Sequence, residues 1–272
     1  MSGTVKFMWR IVLLLFLAFP AFAEPEVDVE LFLAVDVSRS MTPAELEIQR
    51  RGYAEALRSN EVIAAIEGGL IGAIAVTFVE WAGQHSQRVV VPWTVITNRE
   101  QAHAFAARIE TEFNTALRRT SISGALRYAR ASFEESGVRG LRRVIDISGD
   151  GPNNAGAPVL PARNLVLQEG ITINGLPLMT KEGMGLAWHL EDLDLYYQHC
   201  VIGGPGAFSI PVLDWSEFEA AVKKKLVLEI AGLPLERIWR VQNQGMTPEG
   251  YDCMIGERIW ERNRGRYFPD VQ

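Results

Sequence analysis

Short, continuous apolar runs alternate along this chain with stretches whose apolar residues recur every three or four positions. Residues 29–35 form one such run, which leads straight into Asp36 as a centrally buried strand would. Thr42-Pro43-Ala44-Glu45 opens a helix, with Thr42 as cap, Pro43 in the first turn and Glu45 closing a capping box, and the periodicity carries it through Leu57. Gly68 and Gly69 end the next helical stretch. Residues 70–81 and 88–96 read as strands joined by the polar turn around Gly83-Gln84-His85, a link so short that they must pair antiparallel at one edge. Helical periodicity returns over 99–113 and 121–135, and Gly137 and Gly140 bracket the turn into a strand at 142–148 that ends in Gly149-Asp150-Gly151. Helices at 162–168 and 190–199 precede strands at 171–179 and 207–212, and a last helix runs from Asp214 towards Ala231 before Gly232 and Pro234 break it. This alternation predicts an α/β fold, doubly wound, with a mostly parallel central sheet and one antiparallel edge strand. One domain over 24–232, with a C-terminal extension over 233–272 packed on it, is the simplest division.

The first residues follow a different rule. Lys6 and Arg10 precede an apolar run over 11–19, then Pro20 and Ala21-Phe22-Ala23, the order of a secretory signal peptide cleaved after Ala23. The run is well short of the roughly 20 residues that span a bilayer, so periplasmic or secreted localisation is expected, with no membrane span in the mature chain. Removing residues 1–23 takes away two basic side chains and no acid, moving the formal charge from -6 to -8. Nucleic acid is therefore a poor candidate partner, because binding it depends on concentrated positive charge. Export also bears on the cysteines: Cys200 and Cys253 would meet in an oxidising compartment, where an even pair tends to close as a disulfide; two buried free thiols are the competing reading.

Ligand sites of open α/β sheets lie at the carboxyl ends of the central strands, which draws attention to two polar groups. Asp36-Val37-Ser38-Arg39-Ser40 puts a carboxylate and two hydroxyls at alternate positions after the first strand, and Gly149-Asp150-Gly151 brings a second carboxylate on a sharp turn. Between them in sequence, the loop 118–124 offers Thr120 as another oxygen. Carboxylates and hydroxyls suit a hard divalent ion, Mg²⁺ or else Mn²⁺ or Ca²⁺, better than zinc, which prefers His and Cys. Two carboxylates leave little surplus negative charge, so a remaining coordination position would accept water or an incoming carboxylate.

These residues resemble the metal-ion-dependent adhesion site of the von Willebrand factor A domains, which has Asp-x-Ser-x-Ser after its first strand, a Thr in a later loop and an Asp after its fourth strand. Asp36, Ser38 and Ser40 fill the first motif, Thr120 matches the Thr and Asp150 the last Asp. The resemblance extends over roughly residues 29–232 and implies direct metal binding by the hydroxyls, with the shell completed by a Glu or Asp of a protein or peptide partner. More narrowly, 144–154 and 200–206 look like stretches of a bacterial family of exported A-like proteins of uncharacterised function. Ser-Gly-Asp-Gly here stands where most A domains have Thr-Asp-Gly, which makes the part played by Asp150 differ from the usual one if the turn shifts.

Other readings compete. Asp36 or the serines would serve as helix caps if Thr42 did not already do so. An aspartate after a first strand also suits a metal-dependent phosphohydrolase, but those enzymes need a second Asp two residues on, where this chain has Ser38. No catalytic residue is assigned. A third reading gives the metal a purely structural part and puts binding in the extension. Asp146 reads as an acceptor supporting the site's ligands or, in a structural part, as a buried acid paired with an arginine, Asn153 and Asn154 as either ligand contacts or turn residues, and Glu80 as an exposed edge carboxylate. His85, His103, His189 and His199 are scattered and none is assigned to a metal, the tryptophans read as packing, and Lys223-Lys224-Lys225 reads as a solvated helix face.

Overall fold

A computed structural model describes residues 24–111, 117–180, 189–232 and 250–267. The expected signal peptide and residues 233–249 of the extension lie outside them. A short strand β1 (Glu26–Val27) precedes β2 (Val29–Asp36), and α1 (Pro43–Arg58) and α2 (Asn60–Glu67) follow. The chain continues through β3 (Ile74–Trp81), β4 (Gln87–Ile96), α3 (Arg99–Thr111), α4 (Ile122–Ser132), β5 (Arg139–Gly140), β6 (Arg143–Gly149), α5 (Val159–Gln168) and β7 (Thr172–Pro177). It ends with the single turn α6 (Leu193–Tyr196), α7 (Phe218–Ala231) and α8 (Ile255–Tyr267). The main sheet has five strands in the order β4-β3-β2-β6-β7, and every neighbouring pair is parallel except β3 with β4. The expected antiparallel edge strand is thus β4.

β2 lies at the centre and is buried along its whole length. Because successive side chains of a strand face opposite ways, Leu31, Leu33 and Val35 join a core with α1, α2, α3 and α7. Phe32 and Ala34 join a second core with α4, α5 and the 193–201 segment. The α1 start is as expected: Thr42 Oγ1 accepts from Glu45 N at 3.3 Å while Glu45 Oε2 accepts from Thr42 N at 2.6 Å. After β2 the chain builds the sheet outward through β3 and β4, then returns to place β6 on the other side of β2. The crevice outside the carboxyl ends of β2 and β6 is therefore the topological switch point, where α/β sheets bind ligands.

Several expectations need correction. Residues 207–212 do not form a strand; they run beside β7 through separate bridges, Gly175 to Ser209 and Leu178 to Val212. Pro177 and Pro211 each remove a donor that a continuous ladder would need. The helix expected over 190–199 is one turn, α6, which widens into a π-turn at Tyr197–Val201. Glu80 is buried rather than exposed, because Arg50 (3.1 Å) and Arg88 (2.8 Å) both pair with it. Lys225 is also fully buried, and it, not an arginine, pairs with Asp146 at 2.8 Å. Phe218, Val222, Leu226 and Ile230 define the inward stripe of α7, and positions 225 and 229 fall on the same face.

Candidate metal centre

β2 delivers Asp36 to the carboxyl edge of the sheet, fully buried. Its Oδ1 accepts Ser38 N at 2.7 Å, an Asx-type turn that swings the chain off the strand. The turn brings Ser38 Oγ and Ser40 Oγ to 3.0 Å from each other, and Ser40 Oγ donates to Asp150 Oδ1 at 2.8 Å. From α1, Gln49 Nε2 holds the Asp36 carbonyl at 3.0 Å. The second carboxylate oxygen, Asp36 Oδ2, is buried without a hydrogen-bond partner.

Thr120 is brought alongside by its backbone. Leu117 N donates to Val37 O at 2.8 Å, and Ser121 N donates to Ala82 O at 2.7 Å, so the 117–121 loop lies across the ends of β2 and β3. Arg119 takes φ 75°, a left-handed conformation uncommon for a residue with a side chain, immediately before Thr120. Thr120 N donates to Asn154 Oδ1 at 3.0 Å and Asn154 N returns a bond to Thr120 O at 2.8 Å. Asn153 is likewise occupied: its Oδ1 accepts from Ser123 N at 3.0 Å, and its Nδ2 donates to Ala157 O at 3.2 Å and Glu257 Oε1 at 2.7 Å. Both asparagines, left open between ligand contact and turn chemistry, tie the loop after β6 to the 117–121 loop, α4 and α8.

Of the five residues singled out by sequence, Asp36, Ser38, Ser40 and Asp150 form one hydrogen-bonded chain, and Thr120 borders it. Two residues that sequence reasoning missed shape the same place. A Cβ at Gly149 would stand 2.9 Å from Asp36 Oδ2, 2.9 Å from the Tyr197 hydroxyl and 3.3 Å from Trp81, so the absent side chain is what admits the Asp36 carboxylate. Tyr197 comes from the π-turn, and its buried hydroxyl has no hydrogen-bond partner. The glycine was visible only as turn chemistry. Nothing local marks Tyr197, whose role depends on a strand far away in sequence.

Burial raises the Asp36 carboxyl well above its ordinary range, and the Asp150 charge adds to the effect. Asp150 is pushed up to about 6, mainly by burial and further by the Glu45 charge, against the opposing Ser40 hydrogen bond. Two buried acids are thus held where burial disfavours the ionisation of each and the Asp150 charge further disfavours that of Asp36, an arrangement that a cation relieves. Among the described residues no group of three or more His, Cys, Asp or Glu side chains is placed to hold a metal ion.

The extension reaches this edge of the sheet. Cys200 and Cys253 are joined as a disulfide, with Cα atoms 5.5 Å apart. Beyond it, α8 brings Glu257 to Asn153 and sets the Trp260 ring 3.4 Å from the Arg119 guanidinium, next to Thr120. Among the described residues no helix is long and apolar enough to cross a membrane.

A five-stranded, mostly parallel sheet in this order with helices on both faces is the von Willebrand factor A-like fold. The chain belongs to the family described as "Protein of unknown function (DUF1194)", whose profile matches residues 26–234. No curated protein matches the sequence. Among solved structures, proximal thread matrix protein 1 from the mussel byssus superposes with a TM-score of 0.55 at 16% identity, over 76% of this chain and 49% of that one. Another structure of the same protein, titled as having a zinc-occupied MIDAS motif, gives 0.53 at 17% identity, covering 76% and 49%. The SpaC pilus adhesin of Lactobacillus rhamnosus GG gives 0.55 at 13% identity over 75% of this chain and 30% of that one. A von Willebrand factor type A protein from Catenulispora acidiphila gives 0.52 at 14% identity, covering 75% and 43%. This chain thus spans half or less of those chains' length, and at such identities the likeness is one of fold.

Proposed function

We propose that this chain is an exported binding module that captures a carboxylate of a protein or peptide partner through a divalent cation held by Asp36, Ser38, Ser40, Thr120 and Asp150. The observation that carries the reading is the unpartnered, fully buried Asp36 Oδ2 beside the hydroxyl chain from Ser38 through Ser40 to Asp150. A buried carboxylate oxygen without a donor costs free energy that a bound cation offsets. All the donors are hard oxygens, which fits Mg²⁺ first and Mn²⁺ or Ca²⁺ next. The zinc-occupied motif of the byssus protein supports a divalent ion at this position of the fold; the donor set here, without His or Cys, favours the harder ions. Adhesion as the use of the site draws support from the fold shared with a pilus adhesin, and export from residues 1–23.

Calorimetric titration of Mg²⁺ and Mn²⁺ into the wild type and into Ser38→Ala and Ser40→Ala tests the site. Metal binding weakened at least about tenfold, or about 1.4 kcal/mol, in both variants is the expected result. Equal affinity in all three proteins would falsify the assignment. Capture of a glutamate-rich peptide that is lost on chelation, and lost in Ser38→Ala, is expected of the module.

A further inference from the structure

Away from the metal centre, between α7 and the middle of β6, lies a charge cluster that the proposed function does not use. Lys225, Asp146 and Glu229 are each no more than 1% exposed. Lys225 Nζ lies 2.8 Å from Asp146 Oδ1 and is also paired with Glu229, one helical turn further along α7. Asn174 Nδ2 of β7 donates to Glu229 Oε1 at 2.9 Å, fixing that carboxyl beside the amine, and the Phe208 ring lies 5.7 Å from Nζ. Despite the short approach of the amine, neither carboxylate oxygen of Asp146 has a hydrogen bond, and Glu229 Oε2 has none either.

A conventional buried ion pair saturates its oxygens with donors, because desolvating the charges is otherwise uncompensated. Here the amine lies 2.8 Å from an Asp146 oxygen without the geometry of a hydrogen bond, and a second carboxyl is held against the same amine. Burial and the Asp146 charge push Glu229 up to about 8, so that it carries a proton at neutral pH. An amine, a carboxyl and a proton-carrying acid in contact in an apolar interior are the parts of an acyl transfer.

We propose that Lys225 and Asp146 are the partners of an intramolecular isopeptide bond, formed autocatalytically in the folded protein with Glu229 as proton carrier. In the ionic state Lys225 holds an ammonium and Asp146 a carboxylate. Moving one proton from Nζ to the Asp146 carboxyl through Glu229 gives the neutral amine and neutral acid that acyl transfer requires. Nζ then attacks Cγ, the Nζ–Cγ bond forms, and Glu229 carries a proton from nitrogen to the departing hydroxyl. The Cγ–O bond breaks, one water leaves, and Glu229 ends as it began. No oxidant or further reactant enters. The product cross-links α7 to the central sheet and replaces buried charges with a neutral amide.

Mass spectrometry of the purified full chain, denatured and with its disulfide reduced, decides the matter. The expected mass is that of the sequence from its actual N-terminus less one water, with a trypsin digest yielding a branched peptide that joins the segments containing Asp146 and Lys225. Glu229→Gln is expected to keep the fold and regain the full mass. A wild-type mass equal to the sequence value overturns the proposal without recourse to any variant. So does a loss of water that maps elsewhere, such as a succinimide within one linear peptide.

Discussion

Ser40 Oγ donates to Asp150 Oδ1 at 2.8 Å, joining the loop after β2 to the loop after β6 across 110 residues of sequence. The contact places the two carboxylates of the candidate site on either side of a pair of hydroxyls. Its consequence for stability is unusual, because the acids are costly to the fold when no cation is present.

Replacing the buried acid therefore has two opposite effects. Asp36→Asn is expected to raise the melting temperature in chelator, since a buried acid whose ionisation burial disfavours is replaced by a neutral amide. The same change is expected to abolish the stabilisation by metal, which for the wild type at a hundredfold excess over Kd amounts to about 2.7 kcal/mol. Thermal melts with and without Mn²⁺ read both. A variant that melts lower in chelator yet keeps its metal increment contradicts the account.

Acidity acts through the same pair. Asp150 has a folded pKa of about 6, above its ordinary value of 3.8, so between those values the folded state binds more protons than the unfolded one. Metal-free stability consequently falls as pH rises through that window, and is regained as pH drops. Metal binding must displace these protons, so affinity for Mg²⁺ is expected to weaken steadily as pH falls below about 6. Titrations at several pH values, paired with denaturation in chelator, should show the two trends running in opposite directions.

Gly149→Ala tests the packing that admits Asp36. Its Cβ would meet Asp36 Oδ2 and the Tyr197 hydroxyl, each at 2.9 Å. A stability loss of about 1–3 kcal/mol is expected from overpacking, together with weakened metal binding as the carboxylate is displaced. Urea denaturation and calorimetry on the same sample measure the two effects.

Glu80, on β3 opposite Val35, offers a control that does not touch the hydroxyls. Arg50 supplies two bonds to Oε1, at 3.2 and 3.1 Å, and Arg88 supplies a bond of 2.8 Å to Oε2. Removing the buried arginine in Arg50→Ala is expected to cost about 3 kcal/mol, because a desolvated carboxylate loses half its partners. The double change Arg50→Met with Glu80→Gln should recover most of that loss in the same urea assay.

The disulfide sets how firmly α8 lies against the site. Cys200→Ser with Cys253→Ser opens a closure of 53 residues, worth about 4 kcal/mol on the chain-entropy estimate. Faster amide exchange in 253–263, with exchange in β2 and β6 little changed near neutral pH, is the expected pattern.

The fold was legible because its signals are local. Continuous apolar runs, buried along nearly their whole length, gave β2, β3 and β6, and the Thr42–Glu45 cap gave the start of α1 to the residue. The edge strand β4 followed from a loop too short to cross over. At the site, Asp36, Ser38 and Ser40 were readable as a unit because they are neighbours in the chain. Thr120 and Asp150 were readable only as further oxygen donors at strand ends and in a polar loop, and the resemblance to the A domains tied them to the first motif. Glu80 and Lys225 were misread for one physical reason: charge alone suggests exposure, and burial of a charge is decided by partners elsewhere. For Lys225, the stripe formed by Phe218, Val222, Leu226 and Ile230 was a signal in the sequence, outweighed there by the run of lysines.

By itself, then, the sequence determined the order of strands and helices through β7, the central position of β2 and the chemical character of the oxygen donors, since each rests on periodicity or on adjacent residues. The tertiary structure alone decided that Ser40 meets Asp150, that Gly149 and Tyr197 enclose Asp36, and that Lys225 touches Asp146. Such contacts depend on how elements distant in sequence pack, and no local pattern encodes the distances between side chains brought together by the sheet.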